Sequence, residues 1–187
     1  MLNKSNHKRI INIVHISLFA ILLSICSMIT IPMAVPITLQ TFGVFVTCLL
    51  IGGKRATLSI IIWILLGIIG LPVFSGFKSG LATLLGPTGG YIIGFIFTSL
   101  LMWLAENIFP KKITWTIFSM LLGLLICYIF GTAWFIIFYT NTNNPLTISK
   151  AISICILPFI PFDILKIFLA LIIGNNKTIK TLLKLSS

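Results

Sequence analysis

Asp163 and Lys166 stand three residues apart in PFIPFDILKIF, residues 158–168, an otherwise apolar run near the end of the chain. On a helix that spacing is about 4.5 Å along the axis and sets both charges on nearly one face. A charge at the centre of a membrane helix costs about 2.5–3.5 kcal/mol on insertion scales, so the pair belongs inside a bundle, needs a partner, and by default marks a site. An ionised carboxylate only accepts hydrogen bonds and an ammonium only donates them, which together suit a small polar solute. The bland alternative is a structural ion pair joining this helix to its neighbours, a task that packed apolar residues perform as well. Pro158 and Pro161 loosen the backbone ladder just upstream and free carbonyls beside the charges.

A second polar constellation lies in LLGPTGGYIIGF, residues 84–95. Gly86-Pro87-Thr88-Gly89-Gly90 precedes a helix, and N–H groups exposed at a helix start can bind a polar ligand. Gly90-x-x-x-Gly94 by itself divides evenly between close helix packing and pocket lining. Gln40, at the start of an earlier apolar run, is a buried-amide candidate, and Trp63, Phe74 and Tyr91 are candidate apolar walls. His15 offers no ligand constellation, and Glu106 lies close enough to Lys111 and Lys112 for a surface pair.

The elements that must carry these residues are membrane helices. Hydrophobic residues make up 58% of the 187 residues and charged residues 8%, outside the range of a soluble domain. Apolar runs at 12–31, 37–52, 56–71, 89–105, 113–139 and 149–173 predict six transmembrane helices in a single membrane domain over 1–187. The N-terminal run is too long for a signal-peptide core and reads as an uncleaved first helix. Placing both termini in the cytoplasm puts Lys4, Lys8, Arg9, Lys54, Arg55, Lys111, Lys112, Lys177, Lys180 and Lys184 inside, which leaves only Lys78 and Lys150 of the 13 basic residues outside and Lys166 within a span. The net charge of +11 therefore encodes orientation, not affinity for nucleic acid. The outer face then carries loops at 32–36, 72–88 and 140–148, and the glycine-rich second loop is too long for a plain connector. The glycosylation patterns at 3–5 and 176–178 fall on the cytoplasmic side and are set aside.

Four cysteines, Cys26, Cys48, Cys127 and Cys155, are scattered singly through separate runs, which reads as reduced packed thiols and no metal site. No phosphate-binding loop of the G-x-x-x-x-G-K-[ST] type is present, so uphill movement of a solute needs an ion gradient or a partner. No catalytic constellation appears at one membrane depth, so an enzyme is not expected.

Pro36-Ile-Thr-Leu-Gln-Thr-Phe42, Leu66-Gly-Ile-Ile-Gly-Leu-Pro-Val-Phe74, Leu85-Gly-Pro-Thr-Gly-Gly-Tyr-Ile-Ile-Gly-Phe95 and Leu157-Pro-Phe-Ile-Pro-Phe-Asp-Ile-Leu-Lys166 closely resemble the BioY family, the biotin-binding S components of energy-coupling factor (ECF) transporters. The resemblance runs from the first helix to the sixth. It implies an all-α, six-helix S-component bundle in the bacterial cytoplasmic membrane that captures biotin from outside without a cofactor. It also implies a partner module of one transmembrane T component and two ATP-binding cassette subunits. Docking on the T component uses an Ala-x-x-x-Ala pattern on helix one in this family, for which the nearest match is Ala20-x-x-x-Ser24. The expected substrate shell is Asp163, Lys166, Gln40, Phe74, Ser79, Thr88, Gly89, Gly90 and Tyr91. Asp163 would accept from the ureido N–H groups of biotin, Lys166 would meet the ureido carbonyl or the tail carboxylate, and loop backbone with Ser79 or Thr88 would complete the shell. The alternative is a stand-alone ion-coupled secondary transporter in which Asp163 relays protons.

Overall fold

The computed structural model describes residues 4–141 and 146–185. Four of the nine residues in the polar outer loop expected at 140–148, namely 142–145, lie outside the described residues, as does Asn3 of the first glycosylation pattern. In chain order the helices are α1 (Lys4–Met28), α2 (Gln40–Ile51), α3 (Gly53–Ile68), α4 (Leu81–Leu85), α5 (Gly89–Ile108), α6 (Ile113–Asn141), α7 (Ile148–Cys155), α8 (Ile160–Asn175) and α9 (Lys177–Leu185). Two short strands, β1 (Thr30–Ile31) and β2 (Ile37–Thr38), pair antiparallel between α1 and α2.

α1, α5 and α6 are each long and apolar enough to cross a membrane, and α7 with α8 passes the same test as one span bent by 43°. The chain is therefore a multi-pass membrane protein built almost wholly of helix. α2 and α3, with 12 and 16 residues, are shorter than a hydrocarbon core of about 30 Å requires of an upright helix. Large apolar side chains point outward along the long helices, among them Leu18, Ile21 and Ile25 on α1, Leu121, Leu125 and Ile129 on α6, and Ile164 and Phe168 on α8. Lipid tails are as apolar as these side chains, so burial of such residues cannot drive helix association, and close contact must. α5 and α6 make the most extensive pairing accordingly: Gly90 lies against Trp134, and an added Cβ at Gly94 would come within 3.2 Å of the Cys127 backbone.

The helices depart from their expected spans where local chemistry overrides hydropathy. Residues 37–38, expected to open the second helix, form β2, because the hairpin closes across the Pro32–Pro36 turn before Gln40 begins α2. Gly52, at φ 83, breaks the chain between α2 and α3 in a backbone region that glycine enters without strain. The expected sixth helix is split, since Pro158 supplies no backbone N–H and biases Leu157 away from helical geometry. The loop expected at 72–88 contains a 3-10 turn at Ser75–Phe77 and the whole of α4. α9 was not anticipated by hydropathy at all, because its lysines dilute its apolar residues.

Candidate functional site

A cavity of about 490 Å3 lies where the hairpin, the end of α1, the starts of α2, α5 and α8, and the loop after α3 converge. Asp163 forms its floor from the first turn of α8, where the helix dipole favours a carboxylate. Its Oδ1 accepts a hydrogen bond from Lys166 Nζ at 2.7 Å, and its Oδ2 accepts one from Tyr128 Oη at 2.6 Å. With Asp163 1% and Lys166 5% exposed, the pair is withdrawn from solvent and lipid alike, yet both residues line the cavity. It is the only ion pair within 4 Å among the described residues. Lys166 has three N–H donors and gives one to Asp163, so donors remain for an occupant.

Gln40 reaches the cavity from the first residue of α2. It is 3% exposed, and neither its Oε1 nor its Nε2 has a hydrogen-bond partner. A carboxamide with no partner in the protein can be met only from the cavity side, so Gln40 offers one donor and one acceptor to whatever fills the cavity, solvent or solute.

The apolar walls are held by polar atoms turned outward. Trp63 donates its indole N–H to the Val73 carbonyl at 2.9 Å, an oxygen that also accepts from Ser27 Oγ. That anchors Trp63 edge-on to Phe74, with centroids 5.2 Å apart and planes at 88°. Phe74 is seated over Gly67, where any side chain would overlap its ring. Tyr91 stacks beside Phe159 at 6.4 Å and donates its hydroxyl to the Cys155 carbonyl at 3.0 Å. That carbonyl ends α7 at the break, so the split in the last span is satisfied by a wall residue of the cavity.

Of the residues singled out in the sequence, Asp163, Lys166, Gln40, Phe74, Thr88 and Tyr91 line this one cavity, as does Trp63. Ser79, Gly89 and Gly90 do not. Ser79 offers its carbonyl to Thr83 Oγ1, and the Gly89 N–H is donated to the Gly86 carbonyl, so that helix start is closed by its own turn. Gly90 packs under Trp134 and serves helix approach. Ala20 and Ser24, expected on a docking face, are 1% and 7% exposed. They are turned into the bundle, with Ser24 Oγ donating to the Ala20 carbonyl, so they cannot form an outer docking surface in this conformation. Glu106 is not tied to Lys111 or Lys112 by an ion pair; both its oxygens accept from the Gly53 N–H at 3.0 and 2.9 Å, capping the start of α3. The four cysteines are free and buried.

Tyr128 is the site residue that the sequence reading passed over. Its signal was a phenol amid an aliphatic run, because a buried Tyr hydroxyl needs an acceptor. Lys78, assigned only to an outer loop, is exposed and lines the cavity at its rim.

The family model for the BioY family matches residues 2–183. The chain is 39% identical over 160 residues to a biotin transporter BioY of Thermotoga maritima, covering 84% of this chain and 89% of that protein. It is 38% identical over 162 residues to a probable biotin transporter BioY of Pyrococcus horikoshii, covering 86% and 92%. The crystal structure of an S-component for biotin from an ECF-type ABC transporter superposes with a TM-score of 0.78 at 28% identity, covering 93% of each chain. Matched along nearly its whole length in sequence and along as much in fold, the chain belongs to the BioY family.

Proposed function

We propose that this chain is a substrate-capture subunit for biotin in the cytoplasmic membrane, binding the vitamin in the cavity over Asp163. The observation that carries this reading is the unpaired Gln40 carboxamide in the same cavity as the Asp163–Lys166 pair. Biotin has a ureido ring with two N–H donors and one carbonyl, an apolar fused ring and a tail ending in a carboxylate. Asp163 accepts from a ureido N–H, Lys166 donates to the ureido carbonyl, and Gln40 supplies one further bond of either sense. Trp63, Phe74 and Tyr91 enclose the fused ring. Lys166 is already paired deep in the cavity, so the tail carboxylate goes to Lys78 at the exposed rim. The volume falls in the range of about 300–1,000 Å3 typical of small-molecule sites.

The six spans are α1, α2, α3, α5, α6 and the bent α7–α8, in one membrane domain with both termini cytoplasmic. Support comes from the charges: Lys54, Arg55, Lys111, Lys112, Lys177 and Lys180 all lie at or beyond the helix ends remote from the cavity, as an outward-opening site requires. Energy comes from an ECF module with a T component and two ATP-binding cassette subunits. A stand-alone proton-coupled transporter is not favoured, because the solved structure that this chain resembles is an S-component for biotin from an ECF-type ABC transporter.

The test is equilibrium binding to the purified chain in detergent, with biotin and biotin methyl ester, for wild type and Lys78→Gln. Wild type binds biotin tightly and the neutral ester about tenfold more weakly, a difference of about 1.4 kcal/mol, while Lys78→Gln binds the two alike. A monodisperse, folded wild type that binds neither compound would end the biotin assignment; an unchanged acid–ester difference in Lys78→Gln would end the role given to Lys78.

A further inference from the structure

A second cavity, of about 640 Å3, lies at the opposite end of the helices, between the α5–α6 turn and the junction of α8 with α9. Lys111, Lys112 and Lys180 line it together, and none is in an ion pair within 4 Å among the described residues. Its one carboxylate, Glu106, is already engaged by the Gly53 N–H, so the cavity presents a surplus of positive charge. The wall beneath is aromatic: Phe109 and Trp115 stack at 4.3 Å with planes 6° apart. At its border Ile113, which also lines it, and Phe118 present exposed apolar side chains beside the basic rim.

α9 adds an independent observation. Asn176 starts it by accepting from the N–H groups of Thr178 and Ile179, and it packs on α2 and α8. Lys177 and Lys180 fall on one side at a spacing of three, with Ile179, Leu182 and Leu183 on another at three and four. Leu182 is 63% exposed, an apolar side chain outside the packed bundle on a helix too polar to span. Such a helix lies along a membrane interface, apolar side down and lysines toward the headgroups. A cationic cavity with an aromatic wall, open beside lipid-facing side chains and flanked by an interfacial helix, complements a phosphate that carries acyl chains.

We infer that this cavity holds the headgroup of an anionic phospholipid, its phosphate among Lys111, Lys112 and Lys180 and its chains along Ile113 and Phe118. The lipid fixes α9 and the α5–α6 turn against the membrane surface. A free anion would use the lysines but leave the apolar border without a purpose.

The purified chain in neutral detergent is titrated with phosphatidylglycerol and, separately, phosphatidylcholine, and bound lipid is counted by native mass spectrometry. Wild type retains phosphatidylglycerol at least tenfold more tightly than phosphatidylcholine, and the combined Lys111→Gln, Lys112→Gln, Lys180→Gln variant loses that preference. A control with Lys8→Gln and Lys150→Gln keeps it. Lys180→Gln alone weakens retention about fivefold and serves where the triple variant elutes or melts abnormally. Equal retention of the two lipids, undiminished retention in Lys180→Gln and the triple variant, or displacement of the lipid by millimolar inorganic phosphate each overturns the proposal. A triple variant that keeps its lipid but loses an ATP-hydrolysing partner also overturns it and assigns the cavity to protein docking.

Discussion

Replacing Gln40 by Met separates binding from stability in opposite directions. Gln40 is 3% exposed and neither amide atom has a partner in the protein, so the carboxamide lends the empty fold no hydrogen bond and, where water does not replace one, costs it about 1–3 kcal/mol. Met matches glutamine in length and flexibility and has no strong polar group, so it fills the same space at little packing cost. Gln40→Met therefore leaves the empty protein at least as stable as the wild type, with a gain of up to about 1–3 kcal/mol, a rise in melting temperature on the order of 2–12 °C. The same change removes a hydrogen bond to the ureido group, so biotin affinity falls tenfold or more, about 1.4 kcal/mol. Thermal unfolding in detergent with and without biotin measures both, and the shift produced by ligand shrinks as the baseline rises. A lower melting temperature for the empty variant would mean that the amide is satisfied in the resting state. Unchanged biotin affinity would remove Gln40 from the site.

Three further outcomes follow from the geometry. Asp163→Asn leaves Lys166 buried without its counter-charge and lowers stability by about 3–5 kcal/mol, whereas Asp163→Leu with Lys166→Met recovers much of that loss and still abolishes biotin binding; a double variant that binds would refute the polar floor. Tyr128→Phe deletes one hydrogen bond to a charged group, about 1.5–3 kcal/mol, and weakens biotin binding by isothermal titration without altering the helix content; full affinity would make Tyr128 a bystander. Gly67→Ala forces the Phe74 ring from its seat toward the cavity, so biotin affinity falls at least tenfold while Gly70→Ala, where an added Cβ has open space but a φ of 106 strains it, affects stability before affinity.

Much of the site was legible because a membrane makes polar residues conspicuous. Against an apolar background Asp163, Lys166 and Gln40 each needed a reason to be present, and the spacing of the first two put them on one face before any tertiary contact was known. Tyr128 was harder to see, since a tyrosine is at home in a membrane protein and only the position of Asp163 across the bundle makes its hydroxyl significant. Gly89 and Gly90, expected in the substrate shell, do not line the cavity: a glycine pair before a helix has the same local pattern whether it cradles a ligand or admits Trp134.

Membrane class, helical character and the segregation of basic residues to one set of loops are all readable in the linear chain. Those properties depend on composition and on short-range periodicity, which no tertiary contact can reverse. The assembled fold adds that Asp163 is shared between Lys166 and Tyr128, that the last span is broken with its freed carbonyl taken by Tyr91, that Ala20 and Ser24 turn inward, and that Glu106 caps α3. Each of these depends on the rotation of one helix against another. In a bilayer that rotation is set by packing between small residues and by hydrogen bonds across helices, contacts between residues far apart in the chain, and hydropathy carries no record of them.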